Sequence, residues 1–221
     1  GMAREKEEIA VSRDMLLAKL TKAHIHIAHV SSEYSLKIIE MGKKEGINIT
    51  CEATPHHFSF SDDEILRNAY DTNFKMSPPL REISDVKAVR DALKSGLIDV
   101  IATDHAPHHT DEKIVEFDKA PFGIIGLQTL VPLTLKLVNE GVISLERMVE
   151  LTSTNAAKML NLKDKGRLAE GMLADVAVID PEIEYIYDEK INRSKSINSP
   201  LFGKKLKGAA TTTIKSGKIV Y

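Results

Sequence analysis

The stretch His24-Ile25-His26-Ile27-Ala28-His29-Val30 is followed by Ser31-Ser32 and an amphipathic segment that ends at Gly46. The stretch predicts a β-strand, and the serines, which cap helices well, predict a helix from about Ser32. Further strands are predicted at 48–53, 73–76 and 99–103. Strands that alternate with amphipathic helices are typical of β/α units and a parallel sheet, so the sequence predicts the α/β class with four such units.

Helices are predicted at 5–20, 61–68, 84–95, 126–139, 144–150 and 153–160.

The last part of the chain has a different pattern. After Gly166 the pattern becomes one of short apolar strands, with a Ser216-Gly217 turn between the last two. These strands are predicted at 175–180, 184–187, 209–215 and 218–221. We therefore predict a β/α region over residues 1–164 and a small β module over residues 165–221.

Composition narrows the class of protein. The 221 residues are 43% hydrophobic, which is enough to bury a core. The 30 basic and 32 acidic residues nearly cancel, and no basic run is interleaved with aromatic residues, so we expect a small-molecule ligand and no nucleic acid. No apolar run approaches the ~20 residues that span a bilayer, and the N-terminus does not resemble a signal peptide. These features predict a cytoplasmic protein with no membrane association, in which the single Cys51 is a small buried strand residue.

Polar side chains gather where the predicted strands end. In parallel α/β sheets the reactive groups lie at the carboxyl ends of the strands. Six of the eight histidines lie at three such ends, together with one carboxylate, Asp104; the histidines are His29, His56, His57, His105, His108 and His109. Imidazole and carboxylate are the ligands of catalytic zinc, so the convergence predicts a metal site.

Each of these residues also has a structural interpretation. His29 could be a hydrogen-bonded core histidine, and Asp104 could cap the following turn. Neighbouring residues of a strand point to opposite faces, so at most one of His56 and His57 is expected to bind metal. The convergence of all these residues favours a metal site over the structural interpretations, but the residues alone do not choose between His56 and His57.

Six longer motifs occur in order along the chain. They are His-Ile-Ala-His-Val-Ser at 26–31, Cys-Glu-Ala-Thr-Pro-His-His at 51–57, Pro-Pro-Leu-Arg at 78–81, Ala-Thr-Asp-His-Ala-Pro-His at 102–108, Gly-Ile-Ile-Gly-Leu-Gln-Thr at 123–129 and Thr-Ile-Lys-Ser-Gly-Lys-Ile-Val-Tyr at 213–221. Together they resemble class I dihydroorotase, a zinc-dependent cyclic amidohydrolase family, over essentially the whole chain. The resemblance implies the last four units of a (β/α)8 barrel followed by a small β module.

The resemblance also implies roles for individual residues. It makes His29 and His57 ligands of one zinc, and Asp104 both a ligand of a second zinc and the catalytic proton shuttle. It implies that Ser77, His108, Phe122 and Gly123 contact the substrate. The loop 109–120 matches a mobile loop over the active site. The reaction implied is the reversible opening of dihydroorotate to N-carbamoyl-aspartate, a step of pyrimidine biosynthesis.

Two departures from the family pattern stand out. Ser77 occupies a position where many members have asparagine, and a hydroxyl offers different hydrogen bonds from a carboxamide. The family also carries a His-x-His pair on an early strand, whereas His24-x-His26 aligns with the fifth strand. We therefore expect the chain to be inactive alone, and its open sheet edges to be closed by another copy or by a complementary N-terminal half.

Two other functions remain open from the sequence. One is a hydantoinase-like or allantoinase-like cyclic amidohydrolase. The other is a non-catalytic dihydroorotase-like protein that supports a carbamoyltransferase. The intact His29, His57 and Asp104 favour an enzyme lineage over this second alternative.

Overall fold

The structure, a computed structural model, describes residues 2–221. The chain forms two compact units. One extends to Gly126 and includes Ser194–Pro200, and the other comprises Leu127–Arg193 and Leu201–Tyr221. This division differs from the predicted boundary at residue 164, because the helices after Gly126 group with the C-terminal strands.

The first unit is built around a three-stranded parallel sheet. Its strands, in the order β1-β2-β3, are Ile25–Ile27, Ile49–Ala53 and Val100–Ile101. Ile27 lies opposite Cys51, and Ala53 lies opposite Ile101. The helices of this unit are α1 (Arg4–Thr21), α2 (Glu33–Lys44), α3 (Pro55–Ser59), α4 (Asp63–Arg67), α5 (Ile83–Ser95) and α6 (Thr110–Lys113). The predicted strand, helix, strand order is therefore confirmed for β1, α2 and β2.

The helices begin and end where their residues dictate. The Ser32 side chain accepts a hydrogen bond from the amide of Tyr34 at the start of α2, as the Ser31-Ser32 pair predicted. Gly96 ends α5 in the left-handed conformation, with φ of 86°. α1 differs from α2 and α5 because much of its apolar surface is exposed: Ile9, Leu16, Leu17 and Leu20.

The prediction of a strand at 73–76 is wrong. Thr72–Phe74 form a 3-10 turn, in which the side chain of Asp71 accepts a hydrogen bond from the amide of Asn73 at 2.9 Å. β2 pairs directly with β3 instead. The alternating apolar residues that suggested a strand are buried in a loop cluster formed by Phe74, Met76, Leu80 and Ile124. The described sheet of this unit consequently has three strands where four were predicted.

The second unit combines short helices with an antiparallel sheet. The helices are α7 (Leu130–Asn139), α8 (Leu145–Val149) and α9 (Asn155–Met159), with a π-helical turn at Glu150–Thr154 between the last two. The strands β4 (Val176–Ile186), β5 (Lys205–Lys215) and β6 (Lys218–Ile219) pair in that order. The two strands predicted at 175–180 and 184–187 are one strand with an irregular register between Asp180 and Glu184. β5 packs against α7, where Gly208 leaves room for Leu135.

Cys51 is fully buried on β2, as predicted, and burial raises the pKa of its thiol to about 12. The thiol is therefore unreactive at neutral pH. Among residues 2–221, no helix has the length and apolar character needed to cross a membrane.

Candidate active site

His29 and Asp104 meet at the carboxyl ends of β1 and β3. The Nε2 atom of His29 lies 3.6 Å from Oδ1 of Asp104. Both residues have a positive φ, 56° for His29 and 48° for Asp104. Left-handed backbone is uncommon outside glycine and gathers at functional sites. The two side chains, which the family resemblance assigns to the two zinc ions of one site, are thus brought together.

Glu52 on β2 lies beside His26 of β1 and beside His29, which follows β1. Its Oε2 accepts a hydrogen bond from His26 Nε2 at 3.0 Å, and its Oε1 lies 2.7 Å from His29 Nδ1. That second oxygen lies off the axis of the ring N–H, so the contact is a close approach of the carboxylate to the ring rather than an aligned hydrogen bond. Glu52 raises the pKa of His29, against the opposing effect of burial. Burial raises the pKa of Glu52 itself, but the two histidines prevail and lower it to about 2.

His56 and His57 lie on α3, not on a strand, so the expected strand alternation does not apply to them. Their ring centroids are 4.4 Å apart, and both side chains are buried. His57 uses both ring nitrogens: Nδ1 lies 2.7 Å from Thr54 Oγ1, and Nε2 lies 2.9 Å from the carbonyl of Pro78. Nε2 of His56 is buried without a hydrogen-bond partner.

Burial sets the charge of this histidine pair. It lowers the pKa of His57 to about 4 and the pKa of His56 well below its ordinary value. Both imidazoles are consequently neutral at pH 7. Neutral imidazole is the form that binds metal.

The four predicted substrate-binding residues divide into two groups. Ser77 is exposed. The other three form one bonded unit, because His108 Nε2 lies 2.9 Å from the carbonyl of Phe122 and Gly123 follows directly. Gly123 has φ of 117°, and a Cβ atom there would collide with Ala106. Only glycine therefore fits at this close approach to the loop after Asp104.

Two buried side chains hold this unit in place, and the sequence analysis missed both. Asn198 Nδ2 donates to the carbonyls of Ala106 at 2.9 Å and Gly123 at 3.2 Å, and Asn198 Oδ1 accepts from the amide of His108 at 3.3 Å. Lys113 Nζ donates to the carbonyls of Pro121 at 3.0 Å and Gly123 at 3.2 Å. Burial lowers the pKa of Lys113 to about 8. A lone asparagine and a loop lysine give no sequence signal for this role.

The donor set can form part of a zinc site. Zinc takes imidazole and carboxylate ligands, which His29, Asp104 and the histidine pair supply. Within residues 2–221, however, no cluster of three or more histidine, cysteine, aspartate or glutamate side chains is close enough to hold a metal ion. The orphaned Nε2 of His56 is the observation that points to a missing ligand, because buried polar atoms are ordinarily partnered.

Comparisons with known proteins identify the family of the chain. A model of the amidohydrolase family matches residues 8–220. The chain belongs to the amidohydrolase family. It is 50% identical over 221 residues to a dihydroorotase of Geobacter metallireducens, matching the whole chain and 51% of that relative. It is 47% identical over 220 residues to a dihydroorotase of Aquifex aeolicus, matching 99% of the chain and 51% of that relative.

Solved structures of the family are similar over the same extent. An L-hydantoinase (dihydropyrimidinase) from Arthrobacter aurescens aligns with a TM-score of 0.90 and 31% identity, over 96% of this chain and 48% of that one. The amidohydrolase chain thus spans about half the length of the relatives it matches. The family resemblance and the α/β class predicted from the sequence are confirmed.

Proposed function

We propose that this amidohydrolase chain supplies part of a dihydroorotase active site, which opens the ring of dihydroorotate to give N-carbamoyl-aspartate. The observation that carries the proposal is the approach of His29 to Asp104 at 3.6 Å, at strand ends whose motifs match dihydroorotases. Because the chain spans about half of these relatives, we assign the whole reaction to a complete assembly and not to this chain alone.

We further propose zinc as the metal, with His29 and Asp104 as ligands on this chain. One imidazole of the His56–His57 pair would join them only by moving closer than it lies among residues 2–221. The sequence predicted His57, but His57 already uses both ring nitrogens, whereas Nε2 of buried His56 has no partner. The contacts therefore favour His56. The chemistry that bound zinc supplies is Lewis-acid polarisation of the amide carbonyl and a lowered pKa of water.

Asp104 is the proposed proton carrier. A carboxylate at this position can take a proton from the attacking water and return it to the amide nitrogen that leaves. Its Oδ1 lies 3.6 Å from Nε2 of His29, so the proposed proton carrier stands beside a proposed metal ligand. The atoms balance: water adds its oxygen to the carbonyl carbon, the C–N bond breaks, and the nitrogen gains the proton.

The substrate contacts of Ser77, His108, Phe122 and Gly123 stay proposals. The amide of Gly123 donates to the carbonyl of Lys75 at 2.9 Å, and its carbonyl accepts from Lys113 and Asn198. Gly123 and its neighbours are thus fixed in position before a substrate arrives. Pre-positioned backbone is the arrangement that orients a ring with little loss of entropy on binding.

A hydantoinase-like reaction is the second candidate. The observation that favours it is the TM-score of 0.90 to the L-hydantoinase. Both reactions hydrolyse a cyclic amide, so they share the chemistry of Asp104 and differ in the ring that is bound.

The test is a turnover assay with added zinc and three substrates: dihydroorotate, hydantoin and dihydrouracil. The chain is assayed alone and together with the half of the Geobacter metallireducens dihydroorotase that it does not match. We expect turnover of dihydroorotate in the mixture only, and its loss in Asp104→Asn. Asp63→Asn, an exposed carboxylate on α4, is the matched control. Preference for hydantoin would favour the second candidate, and no turnover of any substrate would refute both.

A further inference from the structure

Glu52 joins β1 to β2 through a ladder of polar side chains. His26 lies opposite Thr50 in the parallel register, and its Nδ1 is 2.8 Å from Thr50 Oγ1. His24 Nε2 is 2.9 Å from the same hydroxyl. The ladder therefore runs from His24 through Thr50 and His26 to Glu52, and Glu52 reaches His29. Glu52 is only 7% exposed, so water does not compete strongly for its oxygens.

The direction of each hydrogen bond in the ladder follows from the carboxylate. An ionised carboxylate only accepts hydrogen bonds, so His26 Nε2 must carry a proton. In its neutral form His26 then has a lone pair on Nδ1, which accepts from the Thr50 hydroxyl. That hydroxyl oxygen is left to accept from His24. Each hydrogen bond between His24 and Glu52 thus has one donor and one acceptor that the carboxylate of Glu52 determines.

The same reasoning fixes the protonation of His29. A lone pair on Nδ1 would face a negatively charged oxygen at 2.7 Å, so the proton belongs on Nδ1 even though the oxygen lies off the N–H axis. The lone pair is then on Nε2, the nitrogen that faces Asp104. A metal ligand needs this arrangement, because one ring nitrogen binds the metal while the other donates to a supporting group.

We propose that Glu52 is a positioning residue that holds the proton of His29 on Nδ1 and keeps the lone pair of Nε2 available on the side of Asp104. The assignment of a metal to that side rests on the proposed function. The tautomer of His29 does not, since it follows from the closer of two carboxylates, Glu52 at 2.7 Å from Nδ1 against Asp104 at 3.6 Å from Nε2. The two can therefore fail separately.

The experiment measures histidine tautomers by long-range proton–nitrogen NMR on the 15N-histidine-labelled chain, at a pH where the imidazoles are neutral. We expect opposite tautomers in the wild-type chain, with the proton of His29 on Nδ1 and that of His26 on Nε2. In Glu52→Gln, His29 should lose its preference for Nδ1. Glu52→Asp, which keeps a carboxylate, should restore it at least in part. Glu40→Gln, a half-exposed carboxylate on α2, is the matched control and should change nothing.

A second measurement tests the consequence for metal. Titration with Co²⁺, followed by its visible absorption, should show about 10- to 100-fold weaker binding in Glu52→Gln than in the wild type and the Glu40→Gln control. A wild-type His29 with its proton on Nε2, or an unchanged tautomer in Glu52→Gln, would overturn the inference. A correct tautomer in a wild-type chain that binds no Co²⁺ would instead support the inference and count against the proposed metal site. Circular dichroism of each variant separates these results from unfolding.

Discussion

His29 and Asp104 face each other at 3.6 Å, and both hold a left-handed backbone conformation, with φ of 56° and 48°. Asparagine tolerates this conformation, so Asp104→Asn removes the charge and leaves the backbone unstrained. In the complete assembly we expect turnover of dihydroorotate to fall about 100- to 10,000-fold, the range attributed to a general acid–base group. The thermal midpoint should stay close to that of the wild type. Wild-type turnover in this variant would exclude Asp104 as the proton carrier.

Replacing the two neighbouring histidines separately should give different results. His56→Ala removes the unpartnered ring nitrogen, and we expect zinc binding, measured by isothermal titration calorimetry, to weaken strongly. His57→Ala breaks the contacts to Thr54 and Pro78, so it should lower the free energy of unfolding by about 1–3 kcal/mol and affect zinc less. The reverse order of zinc affinities would restore the sequence-based assignment of His57.

Gly123 should tolerate a side chain worse than other left-handed glycines. Gly123→Ala combines left-handed strain, about 1–2 kcal/mol, with a collision against Ala106. Gly141, with φ of 70° and nothing near its missing Cβ, is the matched control and carries the strain alone. Urea unfolding should therefore show a larger loss of stability for Gly123→Ala than for Gly141→Ala. Equal losses of stability would mean that the loop carrying Ala106 moves aside with no loss of folding free energy.

The exposed apolar face of α1 predicts association with another chain. Ile9, Leu16, Leu17 and Leu20 are each at least half exposed, and β1 and β3 each have one strand partner among the described residues. Light scattering should give a mass above the 24.5 kDa of one chain, and Leu16→Glu should lower it. Lys37→Glu on α2, an exposed charge reversal, is the control. A wild-type mass of 24.5 kDa would contradict the prediction that another copy closes the sheet.

Regular elements were predictable where hydrophobic period and end signals agreed. The run from His24 to Val30, the serine cap and the glycine stop at Gly46 specify β1 and α2 by local rules alone. Residues 73–76 show why the rules fail elsewhere. Their alternating apolar side chains fill a cluster with the nearby Leu80 and with Ile124, which is distant in the chain. Burial without a strand ladder therefore produced the same pattern.

Only the strand-end residues of the candidate site could be located from the sequence. His29 and Asp104 stand at strand ends, and strand ends can be read from hydrophobic runs. Glu52 and Asn198 could not be found in this way. Glu52 lies on β2 and contacts His26 on the neighbouring strand β1. Asn198 lies 75 residues from the Gly123 carbonyl that it binds. Contacts between distant residues depend on register and loop path, which one sequence does not reveal.

The left-handed backbone at positions 29 and 104 also bears on the history of the chain. Aspartate tolerates this conformation, whereas histidine at position 29 carries strain on the order of 1 kcal/mol there. A descendant kept only as a scaffold for a partner enzyme would have no need of histidine at that position. His29 is therefore a standing thermodynamic burden, and selection for chemistry is the force that would maintain it.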